Sequence, residues 1–223
     1  MFHDSNKIAP SVIINGNIKI GKNNVICDNV IFTGNIIIGD DNYIGPSCIF
    51  DNQVEIGNNN TLMGHCSVGT QGEMGSQGDR IPDSGKVLIG NSNVFREFIT
   101  INFPVFEELT QIGDKCYFMA RTHLPHDCKV NNRVTMATNS LIGGHCVVQD
   151  YAYIGLGSMT HQNINIGECS MIGMLSANVK HVPPFSVVTG VPSKILKFNR
   201  VGAERRSIDN NIIKEVETNF RPI

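Results

Sequence analysis

Aliphatic residues followed by glycine recur along the chain at multiples of six positions. One series runs from Ile20-Gly21 to Val68-Gly69, and a second runs from Ile112-Gly113 to Ile172-Gly173. A six-residue period sustained over many repeats predicts a β-solenoid, in which each hexapeptide supplies one short strand and a bend. Three such strands make a coil of about 18 residues, and stacking the coils buries the aliphatic residues in one continuous column.

The polar residues between the repeats suit the corners of such a coil. Asp40-Asp41-Asn42 and Asn58-Asn59-Asn60 stand between predicted strands. Asparagine and aspartate tolerate the positive φ angles that tight turns require. The pattern therefore predicts an all-β chain, a parallel β-helix with a short helical tail at its C-terminus.

Two stretches interrupt the repeat. The spacing from Val68 to Ile89 is 21 residues and the spacing from Ile89 to Ile112 is 23, and neither number is a multiple of six. The excess must leave the solenoid as loops, which we place near 70–85 and 102–109. Loops on a rigid scaffold are favoured places for binding groups, and insertion without a function is the alternative.

The repeat fades after Met174, and we expect the β-helix to occupy residues 1–185. The prolines of Val182-Pro183-Pro184-Phe185 cannot continue a strand ladder. Residues 186–223 are then a tail with one helix, for which Ser207 is the expected N-cap. Its apolar face is expected to consist of Ile212, Ile213, Val216 and Phe220.

Composition narrows the function classes. The 223 residues are 41% hydrophobic and carry a net charge of −2, which favours a soluble globular protein without a broad nucleic-acid-binding surface. The sequence shows neither a membrane span nor a signal peptide, so we expect a cytoplasmic protein.

The seven cysteines include no CxxC pair, which argues against a disulfide framework or a zinc knuckle. Cys48 and Cys66 are 18 residues apart, as are Cys128 and Cys146. Because that separation equals one coil, we expect these cysteines to stack in the interior as small hydrophobes.

The segment from Thr122 to Cys128 concentrates candidate chemistry. It places His123, His126 and Asp127 within five residues, inside rigid strand scaffolding. Histidine has an unperturbed pKa near 7, which suits the removal of a proton from a sugar hydroxyl or amine. We therefore predict that His126 is a general base in acyl transfer; a polar corner residue without catalytic function is the alternative.

Several segments together resemble one family. They are HLPHDC at 123–128, IGGHCVV at 142–148, GSMTHQ at 157–162, HVPP at 181–184 and, more weakly, NRVGAERR at 199–206. The resemblance is to the left-handed parallel β-helix, or hexapeptide-repeat, acyltransferases, and within them to the UDP-N-acetylglucosamine O-acyltransferases of lipid A synthesis. It implies a left-handed coil, a homotrimer, active sites between adjacent subunits, and neither a metal nor a permanently bound cofactor.

The resemblance also implies residue roles. His126 matches the general base, Asp127 follows it, and Gly144 matches the glycine whose backbone N–H stabilises the oxyanion of a tetrahedral intermediate. The implied substrate-binding residues are His123, His145 and His161 along the acyl and sugar cleft, Gln162 near the nucleotide, and Asn199, Arg205 and Arg206 beside the nucleotide or the donor's phosphate.

Four departures from the family pattern bear on the substrates. The first loop is longer, Asn102 replaces a histidine, and Met174 stands where many family members have glycine at the end of the acyl pocket. Gly190–Lys194 (GVPSK) resembles a turn of CoA-dependent sugar acetyltransferases. These features predict transfer of a short acyl group, such as acetyl, from acyl-CoA to an amino or hydroxyl group of a nucleotide-linked sugar.

Three alternatives stay open at this point. The first is the O-acyltransferase of lipid A synthesis itself, with acyl carrier protein (ACP) as donor and partner. The second is a γ-type carbonic anhydrase, although its two zinc histidines are five residues apart and His123 and His126 are three apart. The third is a β-solenoid that binds ligands without catalysis. The sugar, the nucleotide, the acyl length and the choice between O- and N-acylation are not fixed by the sequence.

Overall fold

The computed structural model of the protein describes residues 2–73, 84–206 and 208–220. These residues form a parallel β-solenoid with three faces, and they contain 26 short strands followed by two helices. Successive coils pair in parallel, and where no loop intervenes the register shift is 18 residues, for example Tyr117 with Thr135 and Lys129 with Val147. The hexapeptide pattern therefore predicted the fold class correctly.

Face 1 is an 11-stranded sheet in which consecutive coils are hydrogen-bonded neighbours. Its strands are β1 (Lys7–Ile8), β3 (Val25–Ile26), β5 (Tyr43–Ile44), β8 (Thr61–Leu62), β11 (Val94–Phe95), β14 (Tyr117–Phe118), β17 (Thr135–Met136), β20 (Tyr153–Ile154), β23 (Met171–Ile172), β25 (Ser186–Thr189) and β26 (Lys194–Phe198).

Faces 2 and 3 form one 15-stranded sheet, because β2 (Ile13–Ile20) and β4 (Ile31–Ile38) continue around the corner between them. The other strands of face 2 are β6 (Ile49–Phe50), β9 (Ser67–Thr70), β12 (Thr100–Asn102), β15 (His123–Leu124), β18 (Leu141–Ile142), β21 (Met159–Thr160) and β24 (Ala177–Asn178). Those of face 3 are β7 (Gln53–Ile56), β10 (Lys86–Ile89), β13 (Leu109–Ile112), β16 (Lys129–Val130), β19 (Val147–Val148) and β22 (Asn165–Ile166).

The core is one column inside the coils, because each two-residue strand points one side chain inward. Phe95 and Phe118 stack there with ring centroids 4.9 Å apart. The predicted interior cysteines are confirmed: Cys48, Cys66, Cys128 and Cys146 are all buried and unpaired.

Three corners separate the faces, and we name them by the faces they join. In the coil that contains His126, corner 1–2 is residues 119–122, corner 2–3 is 125–128 and corner 3–1 is 131–134. Arg121, Asp127 and Arg133 adopt φ angles of 59°, 61° and 57° at these corners. Equivalent corners of successive coils stack on one another. The side chains at each corner therefore form a column with a fixed spacing.

Polar residues at corner 3–1 are satisfied by the stacking. Asn42 is buried, donates its backbone N–H to Asn24 Oδ1 at 2.9 Å, and donates its side-chain amide to the carbonyl of Gly57 at 2.9 Å. Asn60 repeats this arrangement one coil later. The ladder stabilises the corner because buried amides are costly unless they are hydrogen-bonded.

The two interruptions of the repeat lie between β9 and β10 and between β12 and β13. Residues 74–83, most of the first predicted loop, lie outside the described part of the chain. The second loop comprises residues 103–108. Both loops leave the solenoid at corner 2–3, so their described residues, 71–73 and 103–108, lie at the corner of His126.

The C-terminal region differs from the expectation in two ways. After the prolines, β25 still pairs in parallel with β23, and β26 then returns antiparallel to it. Two helices follow instead of one, α1 (Arg200–Arg205) and α2 (Asn210–Asn219), with Asn199 and Asp209 as N-caps. Asparagine is a favoured N-cap residue, so Asn199 could have been used to predict the start of α1 from the sequence.

The expected cap Ser207 lies outside the described residues. Of the expected apolar face of α2, Ile213 is buried, and Val216 and Phe220 pack beside it, whereas Ile212 is 49% exposed. Neither helix of the described chain is long and apolar enough to cross a membrane.

Candidate active site

His126 and Asp127 lie at corner 2–3 between β15 and β16, where the coil turns sharply. Asp127 has a positive φ, and its backbone N–H donates to the buried Oγ1 of Thr110 at 2.9 Å. This bond ties the turn to the preceding coil. The corner therefore holds His126 at a fixed position on a rigid scaffold.

The two side chains form a hydrogen-bonded pair. His126 Nδ1 lies 2.7 Å from Asp127 Oδ2, and the side chains are 13% and 0% exposed. Because a carboxylate only accepts hydrogen bonds, Nδ1 carries the proton and Nε2 keeps its lone pair. His126 is thereby oriented to accept a proton through Nε2.

The ionised form of Asp127 is stabilised by the loop above it. Burial acts to raise the pKa of this carboxyl, but hydrogen bonds from His126 and from the backbone amides of Glu107, Val105 and Phe106 outweigh it and hold the pKa below its usual value. Asp127 is therefore a carboxylate at neutral pH, although its side chain is fully buried.

Gly144 lies one coil after His126 at the same corner. A Cβ at Gly144 would fall 2.8 Å from Cε1 and 3.0 Å from Nε2 of His126, so only glycine leaves room for the imidazole. In the described part of the chain, no hydrogen-bond acceptor faces the Gly144 N–H. A backbone N–H that makes no hydrogen bond within the described residues thus lies beside the imidazole of His126. A free donor of this kind is what an oxyanion site requires.

His123 extends the site along face 2. Its Nδ1 lies 2.6 Å from Thr100 Oγ1 on the neighbouring strand. Burial lowers the pKa of His123, the positive charge that forms on His126 adds to this, and the carboxylate of Glu73 opposes it. His123 is therefore a neutral hydrogen-bonding group at neutral pH.

His145 shares the carboxylate of Asp127. Its Nε2 lies 3.6 Å from Asp127 Oδ2, and its ring stands at right angles to that of His126 with centroids 5.3 Å apart. His126, Asp127 and His145 present ligand atoms within 4.8 Å of one another and could hold a metal ion. An ion there would have to displace the Nδ1 proton of His126, and His123 is not part of this set.

His161 and Gln162 belong to the next coil at the same corner. Both are exposed, and His161 Nδ1 lies 3.2 Å from the carbonyl of Gln162. Seven of the predicted residues thus share corner 2–3 or the adjoining edge of face 2: His123, His126, Asp127, Gly144, His145, His161 and Gln162.

The predicted polar residues near the C-terminus lie elsewhere. The ring of Tyr151 at corner 3–1 is contacted by the guanidinium carbons of Arg206, at 5.7 Å, and Arg133, at 5.4 Å. Arg205 is exposed on α1, and Asn199 is buried with both side-chain polar atoms engaged, to the Gly202 N–H and the Cys169 carbonyl. These positions do not share a corner with His126.

Met174 lies at corner 1–2, one coil after Leu156, and is 66% exposed. It does not line a pocket with His126 inside one chain. Within the Gly190–Lys194 segment, residues 190–193 form the turn of the β25–β26 hairpin and Lys194 begins β26. Gly190 has φ 101° and Val191 is 76% exposed.

The sequence did not predict the contacts that join the two loops near the pair, although Asn102 was noted as a departure from the family pattern. Gly72, at the start of the first loop, packs so closely that a Cβ there would lie 2.7 Å from Val105 and 3.0 Å from His126. Asn102 is buried and donates to the Gln71 carbonyl at 3.0 Å, which ties the first loop to β12. The sequence shows that Gly72 and Asn102 lie next to the loop boundaries, but it does not show which residues they contact.

Comparisons with known proteins concern the sequence and the fold. No protein-family model matches the chain. An acyl-[acyl-carrier-protein]–UDP-N-acetylglucosamine O-acyltransferase of Burkholderia orbicola is 36% identical over 138 residues, which are 61% of this chain and 53% of that protein. Its counterpart in Synechocystis is 35% identical over 138 residues, 61% of this chain and 50% of that protein. The match thus spans about half the length of these curated relatives.

Solved structures extend the similarity along the chain. UDP-N-acetylglucosamine acyltransferase from Campylobacter jejuni superposes with a TM-score of 0.88 at 29% identity, over 95% of this chain and 82% of that one. The O-acyltransferase from Moraxella catarrhalis gives 0.89 at 27% identity, with the same coverage of both chains. The protein therefore resembles UDP-N-acetylglucosamine O-acyltransferases in fold and in sequence.

Proposed function

We propose that the protein is an acyltransferase that moves an acyl group from a thioester of ACP to a hydroxyl of a UDP-N-acetylglucosamine-type sugar. The observation that carries this proposal is the juxtaposition of His126 Nε2, oriented by a buried carboxylate, with the free N–H of Gly144. Together they supply the proton acceptor and the oxyanion donor that acyl transfer needs.

The reaction follows from these two groups. His126 Nε2 takes the proton of the sugar hydroxyl as its oxygen attacks the thioester carbonyl, and Asp127 stabilises the imidazolium that forms. The tetrahedral oxyanion accepts a hydrogen bond from the Gly144 N–H. Collapse breaks the carbon–sulfur bond, and the departing thiolate takes the proton from His126. The products are an ester and a thiol, and the base is regenerated.

The choice of donor rests on the comparisons. The sequence pointed first to acyl-CoA and second to ACP, and the names of the relatives specify the carrier protein. They also specify an oxygen acceptor. We therefore propose O-acylation from ACP as the activity, in place of the CoA-dependent transfer expected from Gly190–Lys194.

The functional unit is proposed to be a homotrimer. The predicted site residues occupy three different corners: His126 corner 2–3, Met174 corner 1–2, and Arg206 corner 3–1. Side chains on different corners of one narrow coil cannot line one cleft. Cyclic association of three copies brings different corners together, so a shared site explains the distribution.

The test is direct turnover. Purified protein is incubated with UDP-N-acetylglucosamine and an acyl-ACP series, with acyl-CoA in parallel, and ester formation is measured. We expect turnover with the carrier-protein donor and a loss of about 10²–10⁴-fold in kcat for His126→Ala. Activity within about threefold of wild type in that variant contradicts the role of His126 as general base.

A further inference from the structure

The second loop wraps its main chain around the carboxylate of the catalytic pair. Three consecutive amides, those of Val105, Phe106 and Glu107, donate to Asp127 Oδ1 at 3.0, 3.2 and 2.9 Å, and the Phe106 N–H also reaches Oδ2 at 3.2 Å. Three amide donors on one ionised carboxylate fix this part of the loop firmly, since such hydrogen bonds are strong. The side chain of Phe106 is therefore held over the site.

The ring of Phe106 lies against both histidines that flank Asp127. Its centroid is 6.0 Å from that of His126, in an edge arrangement, and 5.6 Å from that of His145. It is 59% exposed, so it covers the two histidines from the solvent side. Asp127 is 0% exposed beneath it, although the corner faces outward.

These contacts point to a role for the exposed ring, and this inference rests on the proposed function. We propose that Phe106 is a positioning residue that covers the Asp127–His126 pair and excludes water from it. Water between the pair would compete for the Nδ1 proton and would weaken the charge interaction that builds up when His126 accepts a proton. The loop amides fix the position of the Asp127 carboxylate, and the ring of Phe106 excludes water from it.

The other groups around Asp127 are polar, so the apolar cover over the pair is the ring of Phe106. The groups that face Asp127 are the imidazoles of His126 and His145, the loop amides and the Thr110 hydroxyl beneath the turn. Each of them is a hydrogen-bonding group, and none of them is an apolar cover against solvent. Among the exposed large apolar side chains of the described residues, Phe106 is the one whose ring contacts these histidines.

If Phe106 instead served to contact the acceptor sugar, its replacement would have a different effect on the kinetics. Loss of a sugar contact raises KM for the acceptor, whereas loss of the seal lowers kcat and leaves both KM values near wild type. The kinetic test uses Phe106→Ala, Phe106→Leu and, as a matched control on the same loop, Glu108→Ala, whose side chain is also exposed.

Water exclusion is measured without turnover. In protein labelled with ¹⁵N-histidine, the Nδ1–H resonance of His126 is assigned by its absence in His126→Ala, and its exchange with solvent is measured. We expect exchange to accelerate by about tenfold in Phe106→Ala and to stay near wild type in Phe106→Leu and Glu108→Ala. Because this measurement needs no substrate, it tests the seal even if the proposed reaction proves wrong.

The kinetic expectation is a fall in kcat of about tenfold to hundredfold for Phe106→Ala, with substantial recovery in Phe106→Leu. In an Asp127→Asn background, Phe106→Ala should add little, because the pair it protects is already broken. Unchanged exchange in Phe106→Ala overturns the proposal, as does a KM-only effect or full additivity with Asp127→Asn. Absence of wild-type turnover with normal exchange behaviour refutes the proposed function alone.

Discussion

Gly144 lies so close to His126 that no larger residue fits beside the imidazole: a Cβ at position 144 would fall 2.8 Å from Cε1 of His126. The coil spacing fixes this contact, since Gly144 follows His126 by one complete turn of the solenoid. The residue that we propose as the oxyanion donor is thus also the one whose missing side chain leaves room for the imidazole of the proposed base.

The first prediction follows from that contact. Gly144→Ala should push the His126 ring away from its bond to Asp127 and lower kcat by about 10²–10³-fold. Steady-state kinetics and a thermal unfolding curve check it. A double variant with His126→Ala should be little worse than His126→Ala alone; additive losses would show that the alanine acts elsewhere.

The second prediction concerns stability and pH. Burial holds the folded-state pKa of His123 below its unfolded value, which is about 6.5. Above that value the group is neutral in both states and carries no penalty. As pH falls below it, the unfolded chain binds the proton first, so stability decreases until the folded-state pKa is passed.

Replacing His123 by glutamine removes this contribution while keeping a polar side chain near Thr100. We expect the free energy of unfolding to fall more between pH 8 and pH 5 in wild type than in His123→Gln, with protein concentration held constant. Urea titrations at both pH values measure it. Equal losses in the two proteins contradict the buried, neutral state of His123.

The third prediction tests the shared site. His126→Ala and a double Arg205→Ala/Arg206→Ala variant should each be impaired, and co-expressed mixtures should regain activity. The reason is that a mixed trimer contains sites in which one copy supplies His126 and another supplies the arginines. Sedimentation and turnover of tagged mixed assemblies are the measurements. An active monomer, or mixtures no more active than their components, rules the arrangement out.

The fourth prediction concerns acyl length. Met174 is expected to shorten the acyl pocket when a neighbouring copy brings corner 1–2 to the site. We expect wild type to prefer shorter acyl groups than Met174→Gly, because each methylene that can no longer be buried forfeits roughly 0.8 kcal/mol. The measurement is kcat/KM across the acyl series for both proteins. A wild-type optimum at long chains, unchanged by the substitution, refutes the role.

The sequence by itself determined the repeating part of the molecule. A six-residue period leaves one solution for burying an aliphatic residue per strand, so the solenoid, its stacked cysteines and the column of residues around His126 could be predicted from spacing. The positions of Asp127 and Gly144 beside His126 followed for the same reason, since one lies next to it in the chain and the other exactly one coil away.

The tertiary structure alone decided what surrounds that column. The loop amides that hold Asp127 and the ring of Phe106 come from 20 to 22 residues earlier in the chain, and no repeat specifies how such a loop folds back. The placement of Arg206 beside Tyr151 at corner 3–1 was equally hidden, because Arg206 lies outside the repeat. Periodicity fixes which residues stack along the axis, whereas loop conformation and the placement of the C-terminal helices depend on contacts between residues outside the repeat.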